Sequence, residues 1–492
     1  MSLKKVPIRP RRQLTDELKK IQEDIENYLC GKIGKFNLSR EHLICILGYL
    51  SKERYVRIIE FYGSKNDQAL HEIRSVIFGF DSAYFMITEN ITKSEFNVSE
   101  INKLLCNPDL LKTVNGLIEE FKKYAWLRDC LLTYRTHGYE YAIQDSIVSF
   151  SNPDDFPGYR DAVNRELFTV IDQNRVEKDD YFKVMETLRL GQLSGVDYFN
   201  IRMALINIVR SNIGRPQIIS LSEIVRQLTE ETSLPEEIVR TYIECNMQNT
   251  KGDGSLTIQH RPFIELSKDY VFLSYPALLI GDPETILPRL YIKTDDNNEE
   301  LFSENAEEFL INRILEHLDF GNLVTRKNVK VSDGEGEFEI DIICYYEELN
   351  TVIISEVKAF IKPDTVMEVW AANERISEGI GQIKRRKAWF ETLGIEEIKK
   401  LMEVDSITVK PEPKFVLLTN SFCGSDYLEI PDDISIVNIE YILMQKYKGC
   451  GLETCIKEFE DQFEKEYQKI KRLRKTSEEF QLGGYTINVE QF

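Results

Sequence analysis

No apolar run in the 492-residue sequence approaches the roughly 18 to 20 residues that a membrane-spanning helix needs, so no membrane insertion is expected. The N-terminus, MSLKKVPIRPRRQ, is basic but lacks the apolar stretch of a secretory signal. The nine cysteines (30, 45, 106, 130, 245, 344, 423, 450 and 455) are scattered without a CxxC pair. An odd, unpatterned set reads as reduced, buried thiols in a cytoplasm. Five dispersed histidines argue against a His-rich zinc site. A GxxxxGK(S/T) phosphate loop is missing, which excludes a motor or nucleotide switch of that kind. Positive charge is also short: 62 basic against 82 acidic residues give a net charge of −20. Such a chain does not coat nucleic acid through a global field, though a local basic groove stays open to it.

What is present is the composition of a folded chain, 42% hydrophobic and 29% charged. Its length implies roughly two to four domains. The expected class is α+β and multidomain: a large, mostly α-helical N-terminal region, then a C-terminal α/β domain with a mixed central sheet. The spacing of apolar residues predicts helices from residue 14 to about 215, for example after a Ser39 cap in SREHLICILGYLSKERYVRIIEFYG. SFSNPDDFPGYRD (149–161) is the clearest internal break.

Residues 216–292 change character. SLSEIVRQLTEETSLPEEIVRTYIECNM carries two capping-box signatures, Ser220 with Glu223 and Ser233 with Glu236. RPFIELSKDYVFLSYP then reads as a hairpin turning near Ser267, Lys268 and Asp269. Two helices and a hairpin are either a winged-helix-like module or a bridge between domains. KTDDNNEE (293–300) reads as a polar linker, residues 300–448 as the α/β domain, and 449–492 as a closing helix and tail.

Within that domain, GEFEIDIICYY and NTVIISEVKAF read as two strands of a hairpin. A two-residue bend at Glu348 and Leu349 sets Asp341 opposite Glu356, and Glu339 opposite Lys358. Side chains two apart share a face, so four charges gather on one patch while Ile340, Ile342, Ile353 and Val357 turn to the core. Two facing carboxylates repel by roughly 3 kcal/mol at about 5 Å and an effective dielectric near 20. Lys358 offsets part of this. A divalent cation does so better, because Mg²⁺ prefers carboxylate oxygens and waters and leaves positions for a phosphate. Asp341 and Glu356 would then hold Mg²⁺ or Mn²⁺, with Lys358 orienting a water or stabilising charge on the phosphate. The alternative for the same residues is a solvated sheet end with a Glu339–Lys358 ion pair.

Together these residues resemble the PD-(D/E)XK superfamily of restriction-endonuclease-like nucleases over roughly 300–445, with GEFEID and SEVKA as the most specific part. The resemblance implies a metal-shell role for Glu308 on a leading helix, although Asn305 and Glu308 also make a capping box. It implies a site role for Gln382 on the helix around 374–393. Gln382, Arg385, Arg386 and Trp389 share one face of that helix, beside an apolar stripe of Ile376, Ile380, Ile383 and Phe390. Lys384, Arg385, Arg386 and Lys387, with Trp389, form the local basic patch that a phosphate backbone requires. Arg386 stands where many members carry an aromatic. The implied function is a phosphodiester-cleaving, Mg²⁺-dependent nuclease acting on DNA, in prokaryotic antiphage defence or restriction. It would be a homo-oligomer, with the N-terminal region sensing or dimerising. Two rivals remain: a catalytically silent nuclease-fold scaffold, and a DNA-binding regulator acting through 217–275.

Overall fold

Thr15, Asn97 and Asn107 each accept a backbone N–H at the start of a helix, and Pro108 follows at a first helical position. They open three of the five N-terminal helices: α1 (Asp16–Ile33), α2 (Arg40–Tyr62), α3 (Asp67–Asn90), α4 (Val98–Leu105) and α5 (Pro108–Arg135). In α1, Leu18, Ile21, Ile25 and Leu29 recur at helical spacing and are buried against α3 and α5 residues such as Ile77, Phe80 and Phe121. The computed structural model describes residues 11–62, 67–136, 139–152, 163, 182–212, 217–248, 257–295, 298–318, 323–361, 363, 366–420, 428, 430–472 and 476–491. Most of the proline-rich break at 149–161 lies outside them. Helix does not run unbroken to residue 215. The alternating sequence EYAIQ and IVSFS forms β1 (Glu140–Gln144) and β2 (Ile147–Ser151), turned at Asp145 with φ 56°.

After α6 (Phe182–Thr187) and the two short strands β3 (Arg189–Leu190) and β4 (Leu193–Ser194) comes α7 (Gly195–Ser211), capped by Ser194. Then follow β5 (Ile218–Ser220), α8 (Leu221–Thr232), α9 (Glu236–Cys245), β6 (Phe263–Glu265) and β7 (Tyr270–Leu273). The hairpin forms as expected, and β5 joins it in the order β5–β7–β6. The two serine caps do not form. Ser220 makes no capping hydrogen bond, and Ser233 has φ 57° and closes α8 instead of opening α9. For Ser233 the cause is Pro235, which takes the N-cap position of α9, since the residue before a proline avoids helical φ/ψ and proline itself suits a helix start. The exposed positions of α9 are acidic: Glu236, Glu237 and Glu244 against Arg240. Helices α10 (Tyr275–Ile280) and α11 (Pro283–Ile292) lead onward.

The segment read as a linker is partly helical, because α12 spans Asn298–His317. Asn305 is therefore inside a helix and caps nothing. Next come β8 (Leu323–Asp333), β9 (Gly336–Tyr346), β10 (Thr351–Lys358), α13 (Val366–Thr392), α14 (Ile395–Met402), β11 (Glu412–Thr419), β12 (Ile434–Asn438), α15 (Ile439–Ile442) and α16 (Leu452–Lys471). The five strands lie in chain order, β8 to β10 antiparallel and β10 to β12 parallel. This is a mixed sheet with helices on both faces. Ile343, Ile354 and Leu417 pack against Ile376, Ile380, Ile383 and Phe390 of α13. Ile342, Ile353, Val357 and Leu418 pack on the other side with residues of α12 and α16. Ile340 joins the α13 layer and not that of Ile342. Strand alternation breaks there: Asn328 has φ 52°, and neither it nor Asp341 takes part in the β8–β9 ladder.

The last residues are not a tail. β13 (Thr476–Leu482) and β14 (Tyr485–Gln491) form a hairpin, and β14 pairs in parallel with β2. The resulting sheet, ordered β1–β2–β14–β13, packs on the N-terminal helices, with Trp126 stacked on Phe480 at 4.7 Å between ring centres. The chain is thus α+β, with a helical N-terminal part and separate sheets. No described helix is long and apolar enough to cross a membrane.

Candidate active site

The bend between β9 and β10 sets the register that the sequence predicts, from Thr351 opposite Tyr346 to Ser355 opposite Ile342. Beyond Ser355 the ladder stops and the two strands part. Asp341 then supplies what the neighbouring backbone no longer does: its Oδ2 accepts the Val357 N–H at 2.6 Å. β10 stays paired on its other side, with Glu356 opposite Leu417 and Lys358 opposite Thr419 of β11. Asp341 with Glu356, and Glu339 with Lys358, are therefore not ladder pairs. The acids flank a fork in the sheet.

The two carboxylates nevertheless converge on one group. Nη2 of Arg386 is paired with Glu356 Oε2 and lies 3.9 Å from Asp341 Oδ1. Lys358 Nζ lies 2.8 Å from Glu356 Oε1 and 3.9 Å from Glu307 Oε1, and Arg375 Nη2 lies 3.5 Å from the same Glu307 oxygen. Glu356 is 2% exposed and Arg386 4%, so these charges have lost most of their hydration, and only mutual pairing makes that tolerable. Burial, and then the charge of Glu356, push the Asp341 carboxyl up to about 8, against the opposing pull of Arg386 and the Val357 N–H. Burial also raises the pKa of Glu307, with Lys358 and Arg375 acting against it. For Lys358, burial favours the neutral amine, but Glu356 and Glu307 outweigh it and the net shift is upward.

Helix α13 closes the fork because Gly379 lets it come near. A Cβ there would stand 2.7 Å from Leu417 Cδ1 and 3.4 Å from Lys358 Cγ. One turn further, Gln382 presents a buried Oε1 that has no hydrogen-bond partner. One more turn brings Arg386, whose Nε and Nη2 donate to the Glu339 carbonyl at 3.0 and 2.5 Å. Glu339 thus serves the site through its backbone.

The expected nucleic-acid patch is engaged within the protein. Arg386 points inward to the acids. Arg385 pairs with Asp333 at 2.8 Å and covers the Phe338 ring, and Lys387 pairs with Asp433. Trp389 packs edge-on against Phe338 at 5.6 Å, and Lys384 is exposed. Glu308 is exposed and turned away, while its neighbour Glu307 reaches the site. The signal for this was the apolar phase of α12: Phe302, Ala306, Leu310 and Ile314 define the buried face, and Glu307 borders it at three residues before Leu310.

No protein-family model, curated protein or solved structure matches the chain. Among the described residues no group of three or more His, Cys, Asp or Glu side chains is disposed to hold an ion. The donor chemistry that is present is two carboxylates meeting at one cationic nitrogen, with an unsatisfied amide oxygen on the adjoining helix. These are hard oxygen donors of the kind Mg²⁺ and Mn²⁺ take. Arg386 now fills the position between the acids.

Proposed function

We propose that the chain is a Mg²⁺- or Mn²⁺-dependent nuclease that hydrolyses phosphodiester bonds, with DNA as the substrate of an endonucleolytic cut. The observation that carries this is the meeting of two acids from separate strands, Asp341 and Glu356, at one buried cation beside Lys358. A structural domain gains nothing from opposing buried acids, because apolar residues of similar volume are as stable or more so. The order of a leading helix, three antiparallel strands, a helix and further parallel strands supports a restriction-endonuclease-like fold.

Asp341, Glu356 and the Gln382 carbonyl would hold the ion. When bound, it polarises the scissile phosphate and lowers the pKa of an attacking water. Lys358 is positioned by Glu356 and Glu307 and kept charged by them, so its ammonium donates to the phosphate as negative charge grows there. Glu307 also fixes Arg375 and lies 3.4 Å from the Ala359 N–H, tying α12 to the end of β10. An oversized non-catalytic portion fits a cytoplasmic prokaryotic defence or restriction nuclease working as a homo-oligomer, an assignment by analogy.

Purified full-length protein incubated with plasmid, linear duplex, single-stranded DNA and RNA, with Mg²⁺ or with chelator, tests the proposal. Cleavage that needs the ion and is lost in Asp341→Ala is the expected result. Ion-dependent cleavage that survives Asp341→Ala contradicts it. One observation favours the scaffold reading instead: Arg386 already lies within ion-pair distance of both acids. That reading predicts no cleavage of any substrate. The acidic exposed positions of α9 speak against major-groove reading by the 217–275 module.

A further inference from the structure

We infer that Arg386 is a resident cation of the carboxylate site, holding Asp341 and Glu356 together until a divalent ion displaces it. The inference rests on the nuclease reading and adds a competition that the reading does not require. Both oxygens of Glu356 are engaged by protein cations, Oε1 by Lys358 and Oε2 by Arg386. Among the described residues, Arg386 is the cationic side chain within ion-pair distance of both Asp341 and Glu356, which is the position a shared ion must take.

Charge decides which group gives way. Asp341, Glu356 and Glu307 face Lys358, Arg386 and Arg375, so the cluster holds no surplus of negative charge for an added ion. A divalent ion inserted with Arg386 in place would set two cations in contact where Glu356 is 2% exposed and water screens little. Lys358 is the poorer candidate to leave, because it bridges Glu356 and Glu307 and its stem lies under Gly379. Arg386 also bridges two acids, but they are the two whose shared position an ion would take. Outside the acids its partner is one carbonyl, that of Glu339, and its Nη1 is buried without a hydrogen bond.

Mn²⁺ binding to the full chain without nucleic acid, followed by calorimetry and by the electron paramagnetic resonance of free Mn²⁺, tests this. Arg386→Gln should bind Mn²⁺ about tenfold more tightly than wild type, or better, while Arg386→Lys, which keeps the charge, stays nearer wild type. Adding Glu356→Gln should erase the gain. Equal or weaker binding by folded Arg386→Gln overturns the inference while leaving the nuclease reading intact. Mn²⁺ uptake indifferent to Glu356→Gln removes both. Should Arg386→Gln fail to fold, wild-type protein with ¹⁵N-labelled arginine provides the readout. Millimolar Mg²⁺ should shift the Arg386 Nε–H resonance and speed its exchange with solvent, and an unchanged signal overturns the inference.

Discussion

Two sets of ion pairs in this molecule obey different physics. On α8 and α9, Arg226 pairs with Glu223 and Glu230, and Arg240 with Glu236, each within about one helical turn and open to water. Pairs of this kind follow from helical spacing and contribute little. At the sheet fork the partners come from β9, β10, α12 and α13, and Glu356 and Arg386 are almost wholly buried. No local pattern generates that set, and desolvation opposes it. The contrast separates charges that helical spacing brings together from charges that only the tertiary fold brings together.

Single substitutions can break or sharpen this contrast. Glu356→Ala leaves Arg386 and Lys358 buried without their shared carboxylate, and should lower unfolding free energy by about 3–5 kcal/mol in urea titrations. A much smaller loss would place the site among the surface pairs. Asp81 is a buried acid of a third kind, accepting the Ile258 N–H at 2.8 Å. Burial raises its pKa from 3.8 to about 6. Its folded-state pKa is above the unfolded one, so the stabilisation from holding the proton is full below about pH 4 and lost as pH rises through about 6. Asp81→Asn, neutral throughout, should be more stable than wild type at pH 8 by up to about 3 kcal/mol, with the difference fading by pH 4. A gain independent of pH contradicts the assignment.

Gly379→Ala drives a methyl toward Leu417 and should cost about 1–3 kcal/mol. It also displaces the turns carrying Gln382 and Arg386, so Mn²⁺ affinity should change along with melting temperature. The smallest effect belongs to Arg226→Ala, which should leave the urea midpoint within error. A clear shift there would erase the distinction between the two sets.

Much of the site was legible in the sequence because a strand register follows from a tight bend. Glu348 and Leu349 fix the pairing as far as Ser355 with Ile342. The fork after it was not legible, since Asp341 leaves the ladder to accept the Val357 N–H, and alternation rules assume the ladder continues. The resemblance points to Glu308, whereas the side chain that reaches the site is that of Glu307. With α12 beginning at Asn298, the apolar stripe sets the phase instead. Arg386 belongs to a basic run that reads as a phosphate-contacting patch, and only its inward contacts reveal otherwise. β8 was hidden by Arg326, Lys327 and Lys330, charges that suit an edge strand. The parallel pairing of β2 with β14 joins residues at opposite ends of the chain, a contact that no local pattern encodes.

The most direct test is a crystal of the full-length protein soaked in Mn²⁺, with an anomalous difference map calculated at the manganese edge. A peak is expected between the Asp341 and Glu356 carboxylates, with the Arg386 guanidinium moved off Glu356. A map without density there, and Arg386 still paired to both acids, would contradict it.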